Sequence, residues 1–205
     1  MDKLRKLMQR NISDATGFSV VAVPSNAILE TLIPPGVSDL ESMKTRGIVM
    51  ATLYLGLGRV IAKNMDWSRG KFHLDPEKDV GRTWLHDAGY TLALTMLVNP
   101  PIYYLSGVHD TEDLFWKTLE VGVLAVAAGG AMGYCKDVFG ELAGLQPRKR
   151  LSENMYNAPI RTRRAVMAGI VATSIALTTT IYSLPNYQSH NQEKAPQDIE
   201  QIVSE

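Results

Sequence analysis

Five stretches of this chain carry few charges in their interior: 15–34, 47–62, 84–105, 118–135 and 165–184. Each runs about 16 to 22 residues, which at ~1.5 Å per residue approaches or spans a hydrocarbon core ~30 Å thick. We read them as five transmembrane helices, the rival reading being the buried helices of a soluble bundle. The second window is the least regular, because Arg59 interrupts it unless that side chain snorkels or faces a polar interior. The averages conceal this segregation: 45% apolar residues, 20% charged and a mean hydropathy of −0.05 resemble a soluble globular protein.

The 21 Lys+Arg and 21 Asp+Glu cancel, which excludes a strongly basic nucleic-acid binder and an acidic disordered chain. Their placement sets an orientation. Seventeen basic residues precede the first window, surround the loop after the second or lie between the fourth and fifth, against four on the other side: Lys44, Arg46, Lys117 and Lys194. The positive-inside bias then puts the N-terminus in the cytoplasm and the acidic tail, with Glu193, Asp198, Glu200 and Glu205, outside. Trp67, Phe72 and Trp84 fall near the inner boundary, while Tyr103, Tyr104, Phe115, Trp116, Tyr182 and Tyr187 fall near the outer one. The expected organisation is a basic interfacial lead-in over 1–13 and a four-helix membrane core over 14–140. A basic cytoplasmic linker over 141–164, a fifth transmembrane helix over 165–185 and an acidic polar tail over 186–205 follow. No small-residue cleavage site follows a short apolar core near the start, so the first helix is expected to be retained.

A shift of 73 residues lays the first two windows on the third and fourth, matching Asp14 with Asp87, Ala15 with Ala88, Asn26 with Asn99 and Lys63 with Lys136. Both hairpins start inside, so a repeat would be parallel, about an axis along the membrane normal. Coincidence between similar apolar segments is the other explanation. The fold class expected is therefore all-α and polytopic, two hairpins related by a candidate repeat plus a fifth helix.

An ionised side chain deep in a bilayer costs on the order of 2.5 kcal/mol or more, so each needs a partner, a wet cavity or a function. Ala15, Ser19, Ala22, Asn26 and Glu30 form a small and polar stripe with Asp14 at its inner end, and Arg46 is the expected counter-ion of Glu30. Asp87, after His86, enters the third helix either as an N-terminal cap or as a protonatable or amine-binding carboxylate. Pro24 leaves the carbonyl of Val20 without its donor, and Pro100 and Pro101 do the same to Met96 and Leu97. Such breaks either line a wet cavity or are kinks satisfied by neighbouring helices. Gly129 and Gly133, spaced Gly-x-x-x-Gly, suit close helix packing. A stripe of Ala165, Gly169, Ala172, Ala176 and Ser183 on the fifth helix is expected to pack as well. A single cysteine, Cys135, rules out a disulfide framework and a thiolate zinc site. The four histidines show no metal-ligand spacing, and neither a nucleophile elbow nor a phosphate loop occurs, so no enzyme, metal or cofactor is expected.

These residues resemble the small bacterial L-alanine exporters. Asp14, Asn26 and Glu30 match that family's spaced Asp, Asn and Glu; Arg46 matches its Arg opening helix two; and Pro101-Ile-Tyr103 is similar to its Pro-Val-Tyr. Gly129-Gly-Ala-Met-Gly133-Tyr134-Cys-Lys-Asp137 is similar to its Gly-x-x-x-Gly-Tyr-x-x-Asp at the end of helix four. The resemblance covers about residues 11–140 and implies an inner-membrane location, self-association, and export of L-alanine or similar small amino acids driven by protons. Asp87 aligns with a family Asp only if a one-turn shift before Pro101 is allowed. The long loop between helices two and three and the whole of 141–205 depart from the family pattern. Under this expectation Asp14, Asn26, Glu30, Arg46, Asp87, Asn99, Pro101 and Tyr103 line a substrate or proton pathway, and Gly129, Gly133, Tyr134 and Asp137 pack helices. Alanine offers little beyond two charged groups, so charges of both signs are the chemistry expected. The alternative from another class is a non-transporting membrane scaffold that assembles through its glycine-rich helix.

Overall fold

The structure is a computed structural model that describes residues 2–32, 39–147 and 149–183, the side chains of residue 2 and of 29–45 excepted. The expected Glu30–Arg46 pair therefore lies outside the described residues on its Glu30 side, as does the tail. Among the described residues the chain is all-helical: α1 Asp2–Leu32, α2 Asp39–Thr52, α3 Gly58–Lys71, α4 Val80–Ser106, α5 Thr111–Leu142, the single turn α6 Glu153–Tyr156 and α7 Ile160–Tyr182. The lead-in and the first window run together as one helix, α1, without a break at residue 13.

The second window is not one helix. A π-turn at Leu53–Leu57 separates α2 from α3, and Gly56 within it has φ 139°, which disfavours a side chain. Backbone groups around this turn are met by one side chain: Asn11 Oδ1 accepts from Arg59 N at 3.0 Å, and Asn11 Nδ2 donates to Tyr54 O at 2.5 Å. Arg59 itself, the charge that interrupts the window, turns inward and bonds Asp14 Oδ2 at 3.0 Å.

α5 is the central helix, packed against α4 and α1; α3 lies against α1 and α4, and α7 lies along α1. Close approach explains the small residues at two crossings. A Cβ on Gly58 would stand 3.1 Å from Ala15 Cα, and one on Gly129 would stand 2.8 Å from Ala88 Cα. These contacts occupy the same place in the two hairpins, since Ala15 and Ala88 are partners in the sequence repeat. Gly58 corresponds to Gly129, and Asp66 to Asp137, at a spacing two residues shorter than the one that matches Ala15 with Ala88.

Proline 24 is a kink satisfied by a neighbour. Ser174 Oγ of α7 donates to Val20 O at 2.9 Å, the carbonyl that Pro24 leaves without its helical donor. This bond sets the rotation of α7, so that Ser174, Thr178 and Ile181 turn inward while Ala165, Gly169, Ala172, Ala176 and Ser183 are exposed. The small stripe expected to pack thus faces outward, with nothing within 4 Å of a Cβ on Gly169.

Among the described residues two helices, α5 and α7, are long and apolar enough to cross a membrane. α1 carries Pro24, Ser25 and Asn26 in its span, and α4 carries Asn99, Pro100, Pro101, Tyr103 and Tyr104, which dilute their hydropathy. Large apolar side chains are nonetheless exposed in number: Leu55 is 86% exposed, Leu97 75% and Leu85 74%. Replacing Ser174 with Val is expected to lower stability by about 1 kcal/mol, and by close to nothing in a Pro24→Ala background, where the backbone N–H is restored. Thermal melting of the four purified variants checks this, and equal losses in both backgrounds would deny the link.

Candidate functional site

The site begins with three helix ends. Arg69 stands in the last turn of α3, where a cation complements the helix dipole, Asp87 in the second turn of α4, and Asp137 in the last turns of α5. All three side chains are buried, Arg69 at 3% exposure and both aspartates at 0%. The guanidinium grips Asp87 with two donors, Nε to Oδ1 at 2.8 Å and Nη2 to Oδ2. Its remaining arm, Nη1, reaches Asp137 Oδ1 at 3.1 Å and Oδ2 at 2.9 Å, with Asp66 Oδ1 at 3.5 Å. The hydrogen bonds to Asp87 and Asp137 and the nearby charge of Asp66 offset the cost of burying the guanidinium. Only arginine offers a planar fork able to join two carboxylates in this way.

A second cation closes the group. Lys136 is fully buried, and its Nζ lies 2.5 Å from Asp66 Oδ1 and 2.9 Å from Asp137 Oδ1. Asp66 is the partly open member, 36% exposed at its side chain. His86 stands beside the cluster with Nδ1 3.1 Å from Asp87 Oδ1 and Nε2 2.9 Å from Ser68 Oγ. The segment after α5 folds over the same end: Glu141 accepts from Arg150 N at 2.9 Å and Leu151 N at 2.9 Å, and Arg150 Nη1 donates to Pro76 O at 2.7 Å. Arg150 also lies 3.5 Å from Asp137 and 5.3 Å above the Tyr134 ring, so it seals the network on the loop side.

α5 makes room for this arrangement with glycine. A Cβ on Gly133 would collide with the Asp87 carboxylate and stand 2.9 Å from Arg69 Nη2, while one on Gly130 would collide with the Trp84 ring. Gly129 meets Ala88 and Thr91. The Gly129-x-x-x-Gly133 face is therefore occupied within the chain by α4 and the charge pair.

The expected residues do not converge on one place. Asp87 and Asp137 come together, and Asp87 does not cap its helix: α4 begins at Val80, and the Asp87 carboxylate is held by Arg69. Asp14 is paired separately with Arg59, so the two aspartates matched by the repeat each bind an arginine of α3. Asn99, Pro101 and Tyr103 lie about 18 Å or more along α4 from Asp87 and do not join it. Asn26 is half-buried in α1, and Arg46 stacks over the Tyr182 ring at 4.9 Å, near the far end of α7. Sequence reasoning missed Arg69, Lys136, Asp66, Glu141 and Arg150 as site residues. The Asp66-x-x-Arg69 spacing and the adjacent Lys136-Asp137 were the available signals, both of opposite charges beside apolar helices. Among the described residues no group of His, Cys, Asp and Glu is arranged to hold a metal.

No protein-family model, curated protein or solved structure matches the chain. The exporter resemblance thus rests on its motifs alone.

Removing one partner of a buried ion pair costs about 3–5 kcal/mol, because the other charge is left unpaired. Arg69→Gln is expected to lose about that much, and Arg69→Gln combined with Asp87→Asn and Asp137→Asn to recover a large part, read by thermal melting in detergent. Gly133→Ala should cost about 1–3 kcal/mol through the Asp87 clash. Unchanged melting in Gly133→Ala would contradict the geometry.

Proposed function

We propose that the chain is a multi-pass membrane transporter, exporting L-alanine or a similarly small amino acid at the expense of the proton gradient. The observation that carries this reading is the Arg69–Asp87–Asp137 cluster, charge buried at 0 to 3% exposure inside a molecule whose outer surface presents leucine and valine. Buried charge of this kind beside many exposed large apolar side chains is uncommon in a soluble protein and suits a bilayer. α5 and α7 meet the length and composition for crossing, and α1, α4 and the kinked α2–α3 complete the proposed five crossings. In this proposal the positive-inside bias favours a cytoplasmic position for the cluster, where an exporter would load its cargo, and the exporter resemblance implies a bacterial inner membrane.

The proposed chemistry follows from what the groups bind. A zwitterionic amino acid presents a carboxylate, which fits the Arg69 fork, and an ammonium group, which fits Asp87. In the structure these two residues bind each other and join α3 to α4. Cargo and proton compete for Asp87: an ammonium group that takes the carboxylate excludes a proton, and a proton on Asp87 releases both Arg69 and the ammonium. That competition is the minimum needed for exchange. His86 and Ser68 offer a hydrogen-bonded route between Asp87 and the α3–α4 side. Arg46 and Glu30 remain the proposed outer pair. Self-association is part of the proposal, through a face other than the occupied Gly129–Gly133 one. The scaffold alternative has that glycine face as its partner site.

Cells loaded with an alanine dipeptide test the reading. Wild-type chain should speed L-alanine efflux over vector, a protonophore should abolish the gain, and Asp87→Asn and Arg69→Lys should each lose it at least about tenfold while inserting normally. Absence of flux above vector, with insertion confirmed, would refute the exporter.

A further inference from the structure

A groove of about 540 Å³ opens between the start of α1, the end of α5 and the first half of α7. Phe139, Leu145, Met167, Val171 and Ile175 make its walls apolar. Its size falls within the ~300–1,000 Å³ typical of small-ligand sites. Two polar features set it apart from a packing defect. Ser13 lines it, 8% exposed, and its Oγ is buried with no hydrogen-bond partner. Arg164 lies exposed in its wall. On the exposed first turns of α1, Arg5, Lys6 and Arg10 bring further positive charge to the same end.

We infer that this groove binds one acyl chain of an anionic phospholipid from the cytoplasmic leaflet. The occupant follows from the complementarity: an apolar slot for the chain, a buried hydroxyl of Ser13 able to donate to an ester carbonyl, and arginines at the level of the phosphate. The depth agrees, since Arg161, Arg163 and Arg164 open α7 and the apolar run begins directly after them. The lipid would wedge between α1 and α7 beside Ser13 and one residue from Asp14, and so steady the contact that Ser174 makes with Val20. The inference rests on the membrane reading but not on transport.

Native mass spectrometry of the full chain in mild detergent, titrated with phosphatidylglycerol or phosphatidylcholine of identical acyl chains, tests it. The wild type should hold phosphatidylglycerol at least about fivefold more tightly, the worth of roughly one interfacial arginine. Arg164→Gln should erase that preference while retaining phosphatidylcholine binding. Ala172→Phe, which fills the slot from an exposed position, should lose both lipids with its melting temperature unchanged. Ser13→Ala should weaken both equally. Equal retention of the two lipids by the wild type, or retention undiminished in Ala172→Phe, would overturn the assignment. Alkaline washing of membranes separates the two readings: a chain that washes off refutes the bilayer and the lipid together. A chain that stays while showing no lipid preference refutes the lipid alone.

Discussion

One guanidinium organises this protein. Arg69 ends α3, takes Asp87 of α4 with two donors and reaches Asp137 of α5 with a third, so three helix ends are fixed by a single side chain. Its surroundings allow little else: Lys136 balances the remaining carboxylate charge, and Gly133 leaves the space that the pair fills. Buried as they are, any of these charges left alone would carry a penalty of several kcal/mol. The cluster is stable as a set, and a competing ion of either sign entering it displaces a helix contact. In the proposed transporter that property would let the cluster act as a gate.

The rest of the architecture supports that end. Two hairpins meet around α5, each with an alanine pressed on a glycine, and Asn11 satisfies backbone groups at the π-turn of the first. α7 stands outside the exporter resemblance, yet it supplies the hydroxyl that Pro24 makes necessary on α1. A helix that completes another helix's hydrogen bonding is part of the fold, whatever else it does.

Helical windows were legible in the sequence because a run of apolar residues has few alternatives. Asp14, Asp87 and Asp137 were legible as well, since an acid among apolar neighbours must be accounted for. Arg69 and Lys136 were not. Both sit at helix ends, where a basic residue is explained equally well by topology, and counting them toward orientation used up the signal. The glycines of α5 were readable as small but not as to what they touch: Trp84 and Asp87 reach them only through the register of α4 on α5. The small stripe of α7 failed for a related reason. Residue size suggested one packing face, while the bond from Ser174 to Val20 turned another inward. Long-range register, which no local pattern encodes, separates what was read from what was missed.

The claim that the Arg69 cluster opens when cargo or a proton takes one of its members is tested most directly by a distance. Spin labels on Lys71 at the end of α3 and Pro147 beyond α5, both exposed positions, in a chain with Cys135→Ser, report the separation of the two helix ends by pulsed electron resonance in lipid nanodiscs. The account predicts one short distance at neutral pH without cargo, a second and longer population when L-alanine is added, and that longer population without cargo in Asp87→Asn. A single distance unchanged by L-alanine, by acid and by Asp87→Asn would contradict it.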